Sequence, residues 1–109
     1  MIAEQEAEQG NYLHPRQLLR ELEKAMPADV MVSTYIGIIN SVANSYLLFE
    51  RPRWFFGAIS WGNFGYSFPT IIGDKVAGPD RPAISYAGVG ACGMSMMETL
   101  TCVRHNIPV

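Results

Sequence analysis

The fold is decided by ten residues, Tyr86-Ala87-Gly88-Val89-Gly90-Ala91-Cys92-Gly93-Met94-Ser95. The apolar residues that lead into them predict a buried strand over residues 83–87, followed by a glycine turn and a helix. This layout directs backbone N–H groups and a helix N-terminus toward one point, an arrangement that suits a phosphate group. The stretch therefore predicts either a phosphate-binding turn or a plain strand-to-helix turn that needs glycine for its backbone angles.

Strands and helices are predicted to alternate along the rest of the chain. Hydrophobic spacing predicts helices over residues 15–26, 38–48, 65–77 and 93–104. Apolar runs predict strands over residues 29–34, 54–59 and 83–87, and the first step of a further strand at 107–109. This order predicts an α/β fold in three layers, with a short, mainly parallel sheet and helices on both faces.

Length and charge limit the possible functions. The 109 residues allow at most one domain, in which we expect an acidic linker or tail over residues 1–12 and a partial domain over 13–109. Residues 30–109 hold only four acidic and five basic side chains, and the net charge of the chain is -2. No basic patch indicates nucleic acid, and no apolar run is long enough to span a membrane. The acidic start lacks a signal-peptide core, which predicts a cytoplasmic location.

The few cysteines and histidines do not form a recognisable catalytic or metal-binding pattern. Cys92 and Cys102 could pair or bind a metal, but two reduced thiols in or near a core are the favoured interpretation for a chain without secretory features. His14 precedes Pro15 at a predicted helix start, and His105 lies at a predicted helix end, where a partial positive charge suits the helix dipole. We therefore predict no catalytic residue and no metal ligand.

Five runs of sequence resemble the sulfoacetaldehyde acetyltransferases, thiamine-diphosphate-dependent enzymes related to acetolactate synthase. The runs are residues 13–17, 19–27, 39–47, 65–73 and 94–99. Members of this family are several times longer and carry three domains, and they cleave sulfoacetaldehyde with phosphate to give acetyl phosphate and sulfite. The resemblance implies that this chain is the first part of their C-terminal, diphosphate-binding domain, whose cofactors are thiamine diphosphate and Mg²⁺.

The resemblance also implies a set of cofactor-contacting positions, several of them substituted. They are Gly37, Ile38, Gly62, Asn63, Phe64, Gly88, Val89, Gly90 and Ala91. The turn at residues 88–90 is similar to the Gly-Asp-Gly turn of the family, in which the Asp binds Mg²⁺, but Val89 takes the place of that Asp. The family has Asp at Tyr35, Asn at Ile38, a small or unbranched residue at Phe64 and Trp at Cys92.

These departures predict that the chain alone is inactive and binds neither thiamine diphosphate nor Mg²⁺. A hydrocarbon side chain such as that of Val89 cannot ligate Mg²⁺, which requires oxygen. In the family, the Asn that completes the Mg²⁺ site lies beyond Val109, and the Glu that activates the cofactor lies in another domain. Catalysis with a cofactor depends on that positioning.

Three functional interpretations remain open. The chain is a catalytically silent fragment or redesigned scaffold that self-associates, one subunit of a split thiamine-diphosphate-dependent acyltransferase, or a binder of an apolar small molecule. A parallel sheet in so short a chain cannot readily cover its faces and edges, so we expect a homo-oligomer or a completing partner chain. The candidate association surface is Trp54-Phe55-Phe56 with Tyr35 and Phe64.

Other side chains allow two interpretations each. The aromatic residues Trp54, Phe55, Phe56 and Trp61 form either a core or an exposed patch. Phe64 is expected to pack inward, and the methionines at 94, 96 and 97 are expected to fill gaps in a packed helix. Asn40 and Asn44 lie one helical turn apart and either contact a ligand together or face solvent.

Overall fold

The computed structural model describes residues 13–109, and the predicted tail at 1–12 lies outside them. Its sheet has three parallel strands, β1 (Met31–Thr34), β2 (Phe55–Gly57) and β3 (Ala83–Tyr86). The strand order is β2-β1-β3, so β1 is central, with Val32 opposite Phe55 on one side and Ile84 on the other. The α/β class and the parallel sheet predicted from the sequence are confirmed.

In the described part of the chain, five α-helices surround this sheet. They are α1 (Pro15–Ala25), α2 (Ile38–Tyr46), α3 (Ser67–Ala77), α4 (Val89–Ser95) and α5 (Thr99–His105). Helix α1 begins after His14, whose Nδ1 accepts a hydrogen bond from the backbone N–H of Arg16 at 3.2 Å. Because Pro at the first helical position lacks only an N–H that would be unpaired there, Pro15 favours the start of this helix.

Two predictions near the end of the chain are wrong. The helix expected over residues 93–104 begins earlier, at Val89, and a short 3-10 turn at Met96–Glu98 divides it into α4 and α5. The strand expected at residues 107–109 does not form. Asn106 adopts the left-handed conformation (φ 52°), and the N–H of Ile107 donates to the carbonyl of Cys102 at 2.9 Å. This closure ends α5 and turns the backbone away from an extended path.

Strand β1 is buried along its whole length and holds a helix on each face. Neighbouring side chains in a strand point to opposite faces, so Ser33 and Thr34 point apart. The hydroxyl of Ser33 donates to the carbonyl of Ser67 at 2.6 Å, at the start of α3. The hydroxyl of Thr34 donates to Asn40 Oδ1 at 3.0 Å, in α2. Both buried hydroxyls are therefore paired, and they fix α2 and α3 to opposite faces of the sheet.

The core consists of two apolar clusters separated by the sheet. Leu19, Ala43 and Leu47 join α1 to α2 on one face. Met31, Ile71 and Ala83 join the sheet to α3 on the other face. This placement gives the three layers that the alternating sequence predicted. Among residues 13–109, the longest helices are too short or too polar to cross a bilayer.

Candidate functional site

The structure brings the three turns that follow the strands to one edge of the sheet. Because all three strands run parallel, their C-terminal ends lie at the same edge, which is where open α/β sheets bind ligands. The turns touch one another through α2 and the residue before Gly37. A Cβ atom at Gly62 would lie 3.4 Å from Cγ1 of Ile36, and one at Gly88 would lie 3.1 Å from Cδ1 of Ile39. The implied cofactor positions are thus neighbours in space.

Two of these turns need glycine for their backbone conformation. Gly37, which precedes α2, has φ +123°, and Gly62 has φ +62°. Side chains other than glycine rarely adopt such angles. Both turns therefore depend on these glycines irrespective of any ligand.

The turn from β3 to α4 has a different requirement. Gly88 has the extended angles φ -75° and ψ 165°, so the expectation that the 88–90 turn needs glycine for its backbone angles is wrong. Gly88 instead allows Ile39 to approach closely, whereas a Cβ at Gly90 would meet nothing within 4 Å. The first helical hydrogen bond of α4 runs from the N–H of Cys92 to the carbonyl of Gly88 at 2.9 Å. The N–H groups of Val89, Gly90 and Ala91 precede that bond, as at any helix start.

Three exposed hydrocarbon side chains, those of Ile38, Phe64 and Val89, form what we call the rim of the site. The side chains of Ile38, Phe64 and Val89 are 82%, 74% and 93% exposed. The prediction that Phe64 packs inward is therefore wrong. The space beneath Phe64 is occupied by Tyr35, which is only 8% exposed and whose ring centroid lies 6.0 Å from that of Phe64. Because Tyr35 is buried, it is also not part of an exposed association surface.

The polar groups among the nine implied cofactor positions do not fit a diphosphate held by Mg²⁺. Asn63 is the only one of the nine with a polar side chain, and Ala91 is buried. Mg²⁺ is bound by oxygen atoms, in most proteins from carboxylates. Within residues 13–109, no three His, Cys, Asp or Glu side chains gather closely enough to hold a metal ion.

A buried polar network that the sequence did not predict lies beside the site. Asn40 is 5% exposed, and its Oδ1 accepts hydrogen bonds from Thr34 and from Nδ2 of Asn44, at 3.0 and 2.9 Å. Asn40 thus faces neither solvent nor a ligand, and only Asn44 is exposed. The signal was present in the sequence, since Ala43 and Leu47 follow Asn40 at the spacing of one buried helical face.

The aromatic run after α2 is not an exposed patch. Trp54, Phe55 and Phe56 are half-buried, and the ring of Phe55 packs 5.0 Å from that of Phe49. The guanidinium of Arg81 lies over the ring of Trp54, 5.4 Å from its centroid. The run therefore belongs to the packed body of the domain, and only the more distant Trp61 is strongly exposed.

The polar cluster around Arg81 lies at the opposite edge of the sheet. Nε of Arg81 donates to the carbonyl of Asp29 at 3.0 Å, and Nζ of Lys75 donates to the carbonyl of Arg81 at 2.5 Å. Burial raises the pKa of Asp74 above its ordinary value of 3.8, and the positive charge of Arg81 offsets part of that rise. This cluster precedes the strands and contributes no group to the rim.

The methionines of α4 and the following turn point away from the core. Met94, Met96 and Met97 are all exposed, so the expectation that they fill gaps in a packed helix is wrong. The inward positions of α4 and α5 hold smaller residues instead, namely Ala91, Ser95 and Cys102. Both cysteines are free thiols; Cys102 is buried, as expected, but Cys92 is exposed.

Comparison with known proteins identifies the class of protein that has this fold. Residues 35–109 match the family described as thiamine pyrophosphate enzyme, C-terminal TPP binding domain, and the chain belongs to that family. Thiamine pyrophosphate is another name for thiamine diphosphate.

The relatives within that class agree with the resemblance seen in the sequence. The chain is 76% identical over 109 residues to the sulfoacetaldehyde acetyltransferase of Castellaniella defragrans, covering 100% of this chain and 18% of that protein. It is 74% identical over 100 residues to the sulfoacetaldehyde acetyltransferase of Alcaligenes xylosoxydans xylosoxydans, covering 92% and 17%. It is 28% identical over 100 residues to the acetolactate synthase isozyme 2 large subunit of Escherichia coli, covering 92% and 18%. The chain thus spans less than a fifth of the length of these relatives.

Proposed function

We propose that this chain is a catalytically silent version of the diphosphate-binding segment of a sulfoacetaldehyde acetyltransferase. The reaction associated with that family is acyl transfer from sulfoacetaldehyde to phosphate, which gives acetyl phosphate and sulfite. The observation that carries the proposal is Val89, whose hydrocarbon side chain projects into solvent at the turn after β3, where the family resemblance places the Mg²⁺-binding Asp. A chain without that oxygen ligand does not hold the metal.

The surroundings of Val89 support the same conclusion. Ile38 and Phe64 add two more exposed hydrocarbon side chains at the same edge. A diphosphate carries several negative charges, and moving charge against hydrocarbon without a compensating hydrogen bond or ion is costly. The rim therefore opposes both the metal and the diphosphate, and this chain alone gives no turnover.

A specific observation favours a second candidate, the binding of an apolar small molecule at the same edge. Exposed Ile38, Phe64 and Val89 offer hydrocarbon where the family binds its cofactor. Such a ligand would occupy the old cofactor edge without any metal. The interpretation as one subunit of a split acyltransferase requires a partner chain that supplies every missing oxygen ligand, and no feature of the rim supports it.

Self-association is the remaining part of the proposal. A silent domain with so much exposed hydrocarbon is stabilised when that surface is covered, and a homo-oligomer covers it without a second protein.

The cytoplasmic location expected from the N-terminal sequence stays a prediction.

Isothermal titration of the purified chain with thiamine diphosphate and Mg²⁺ tests the proposed loss of cofactor binding. We expect no saturable heat. The Val89→Asp variant should not bind tightly either, since Ile38 and Phe64 still cover the edge. Val76→Asp, at an exposed position of α3, is the matched control. Affinity at the micromolar level that disappears with a chelator would refute the proposal. Saturable binding of an apolar dye that Phe64→Ser weakens would favour the second candidate.

A further inference from the structure

A cavity of about 400 Å³ lies between the start of α1 and the exposed side of α2. Cavities from about 300 Å³ upward are large enough to hold a small molecule. Residues 14–16 form one wall, and Ser41, Val42, Ser45 and Tyr46 form the other. None of them belongs to the nine implied cofactor positions, so this cavity shares no residue with the implied cofactor site.

Arg16 brings a positive charge to this cavity in a defined position. Its guanidinium lies over the ring of Tyr46, 5.5 Å from the ring centroid, which is within the range of a cation–π contact. A guanidinium that stacks on a ring uses its flat face, whereas its N–H donors lie in its plane. The contact with Tyr46 therefore holds the side chain at the wall of the cavity and leaves the fork of N–H donors available to a ligand.

The charges around Arg16 favour an anion. In the described part of the chain, its guanidinium forms no ion pair, and no Asp or Glu lines the cavity. The first acidic residue of α1, Glu21, is already paired with Lys24 at 2.7 Å. The opposite wall offers further donors, since the hydroxyl groups of Ser41 and Tyr46 can donate to an oxygen atom. The cavity is therefore complementary to a negatively charged oxygen ligand.

We propose that this cavity binds a small organic carboxylate. The two oxygens of the carboxylate accept the parallel N–H donors of Arg16, which is the strongest pairing that a guanidinium forms. The organic part lies against Val42 and Pro15, which line the same cavity with hydrocarbon. Because no rim residue takes part, this binding is a function beyond the proposed loss of cofactor binding.

A second arginine of the chain shows why the absence of carboxylates from the cavity matters. The guanidinium of Arg51 also lies 5.5 Å from an aromatic centroid, that of Trp54, and both residues line a cavity of about 540 Å³. Glu23 and Glu50 line that cavity as well. Their negative charges repel a carboxylate ligand. Arg51 is therefore a control with the same side chain and the same kind of ring contact, but with the opposite charge around it.

Nuclear magnetic resonance titration of the isotope-labelled whole chain with benzoate tests the site and locates it. We expect saturable shifts of the backbone signals of Arg16 and residues 41–46, with a dissociation constant of about 1 mM or lower. Arg16→Gln should raise that constant at least about tenfold, because it removes both the charge and the fork. Arg16→Lys keeps the charge without the fork, so it should restore only part of the affinity.

The matched control is Arg51→Gln, which should leave the dissociation constant of benzoate unchanged. Both arginines are exposed, so we expect each variant to fold, and the same spectra verify it. Benzoate binding that Arg16→Gln leaves unchanged would overturn the proposal. The absence of any saturable shift in the folded parent chain would overturn it as well.

Two further ligands separate a carboxylate site from other kinds of site. Benzamide has the shape of benzoate but no charge, so it should cause no saturable shift at the cavity; equal binding of the two would overturn the carboxylate. Inorganic phosphate should bind more weakly than benzoate, because it gains nothing from the hydrocarbon of Val42 and Pro15. Phosphate that binds more tightly than benzoate would overturn the organic ligand.

Discussion

The hydroxyl of Thr34 at the end of β1 donates a 3.0 Å hydrogen bond to the side-chain oxygen of Asn40 in α2. The same oxygen accepts the amide of Asn44 at 2.9 Å, and a Cβ at Gly57 would lie 3.3 Å from it. Strands β1 and β2 and helix α2 therefore meet at one buried amide. The rim residue Ile38 lies on the same helix, so the position of the rim depends on this amide.

Replacing Asn40 should destabilise the domain strongly. Asn40→Ala leaves the buried hydroxyl of Thr34 without its acceptor, and an unpaired buried polar group costs about 1–3 kcal/mol in addition to the lost packing. We expect the free energy of unfolding to fall by about 2–3 kcal/mol in urea denaturation. Asn44→Ala, at an exposed position, is the control and should cost less than about 1 kcal/mol. Equal effects of the two variants would contradict the buried network.

The glycines of the site should divide into two groups by their stability effects. Gly62 has a left-handed φ, so Gly62→Ala should lower the free energy of unfolding by about 1–2 kcal/mol. Gly90 lies in α4 with open space around it, so Gly90→Ala should raise that free energy by up to ~1 kcal/mol, because alanine favours a helix. Urea denaturation measures both. A destabilising Gly90→Ala would show that this turn needs glycine after all.

The stability of the domain should depend on the ionisation of Asp74. Burial raises its pKa above the ordinary 3.8 despite the nearby Arg81, so the folded state favours the protonated carboxyl. Ionised Asp74 therefore lowers stability, and this cost develops as pH rises from the unfolded-state pKa through the higher folded-state pKa. Asp74→Asn should raise the melting temperature at pH 7, and its advantage should disappear at pH values below the ordinary pKa. Asp80→Asn, at an exposed position, is the control for a general effect of removing one negative charge. A constant difference between Asp74→Asn and the parent at all pH values would rule out this linkage.

The sequence was sufficient for the three strands of the sheet, their parallel direction and the edge at which the implied site lies, although the further strand expected at residues 107–109 does not form. These depend on local hydrophobic spacing and on the chirality of strand connections, which any single sequence displays. It was not sufficient for the direction of individual side chains. Phe64 was expected to pack inward and is exposed, whereas Tyr35, which was offered together with Phe64 as part of an association surface, is buried. The buried residue, Tyr35, contacts Met94, which lies 59 residues later in the chain, and no local pattern contains that information.

The same limit explains why the buried side of α4 and α5 was predicted wrongly. The spacing of Met94, Met97 and Leu100 puts them on one side of a helix, but spacing does not tell whether another element covers that side. The side that faces the core is lined by small residues, which contribute little to the hydrophobic periodicity of the sequence. The hydrophobic periodicity therefore followed the large methionines instead. Burial in the structure reverses the assignment, since Cys102 faces the core and Leu100 faces solvent.

Introducing the residues that the family resemblance implies should be tolerated at two positions and not at a third. Val89→Asp and Ile38→Asn change exposed side chains, and surface substitutions usually alter stability by less than about 0.5 kcal/mol. Tyr35→Asp would place a carboxylate at a buried position, where it loses the ring contact with Phe64 and the hydrogen bond to Met94 and gains no counter-charge from those partners. Burying an unpaired charge is among the few changes that cost more than about 3 kcal/mol, so we expect this variant to unfold at much lower urea concentration. Tyr35→Phe keeps the ring and loses only the hydroxyl bond to sulfur, so it should cost about 1 kcal/mol or less. If Tyr35→Asp unfolds at the same urea concentration as Val89→Asp, Tyr35 is not a packed residue and the space beneath Phe64 is open to a ligand.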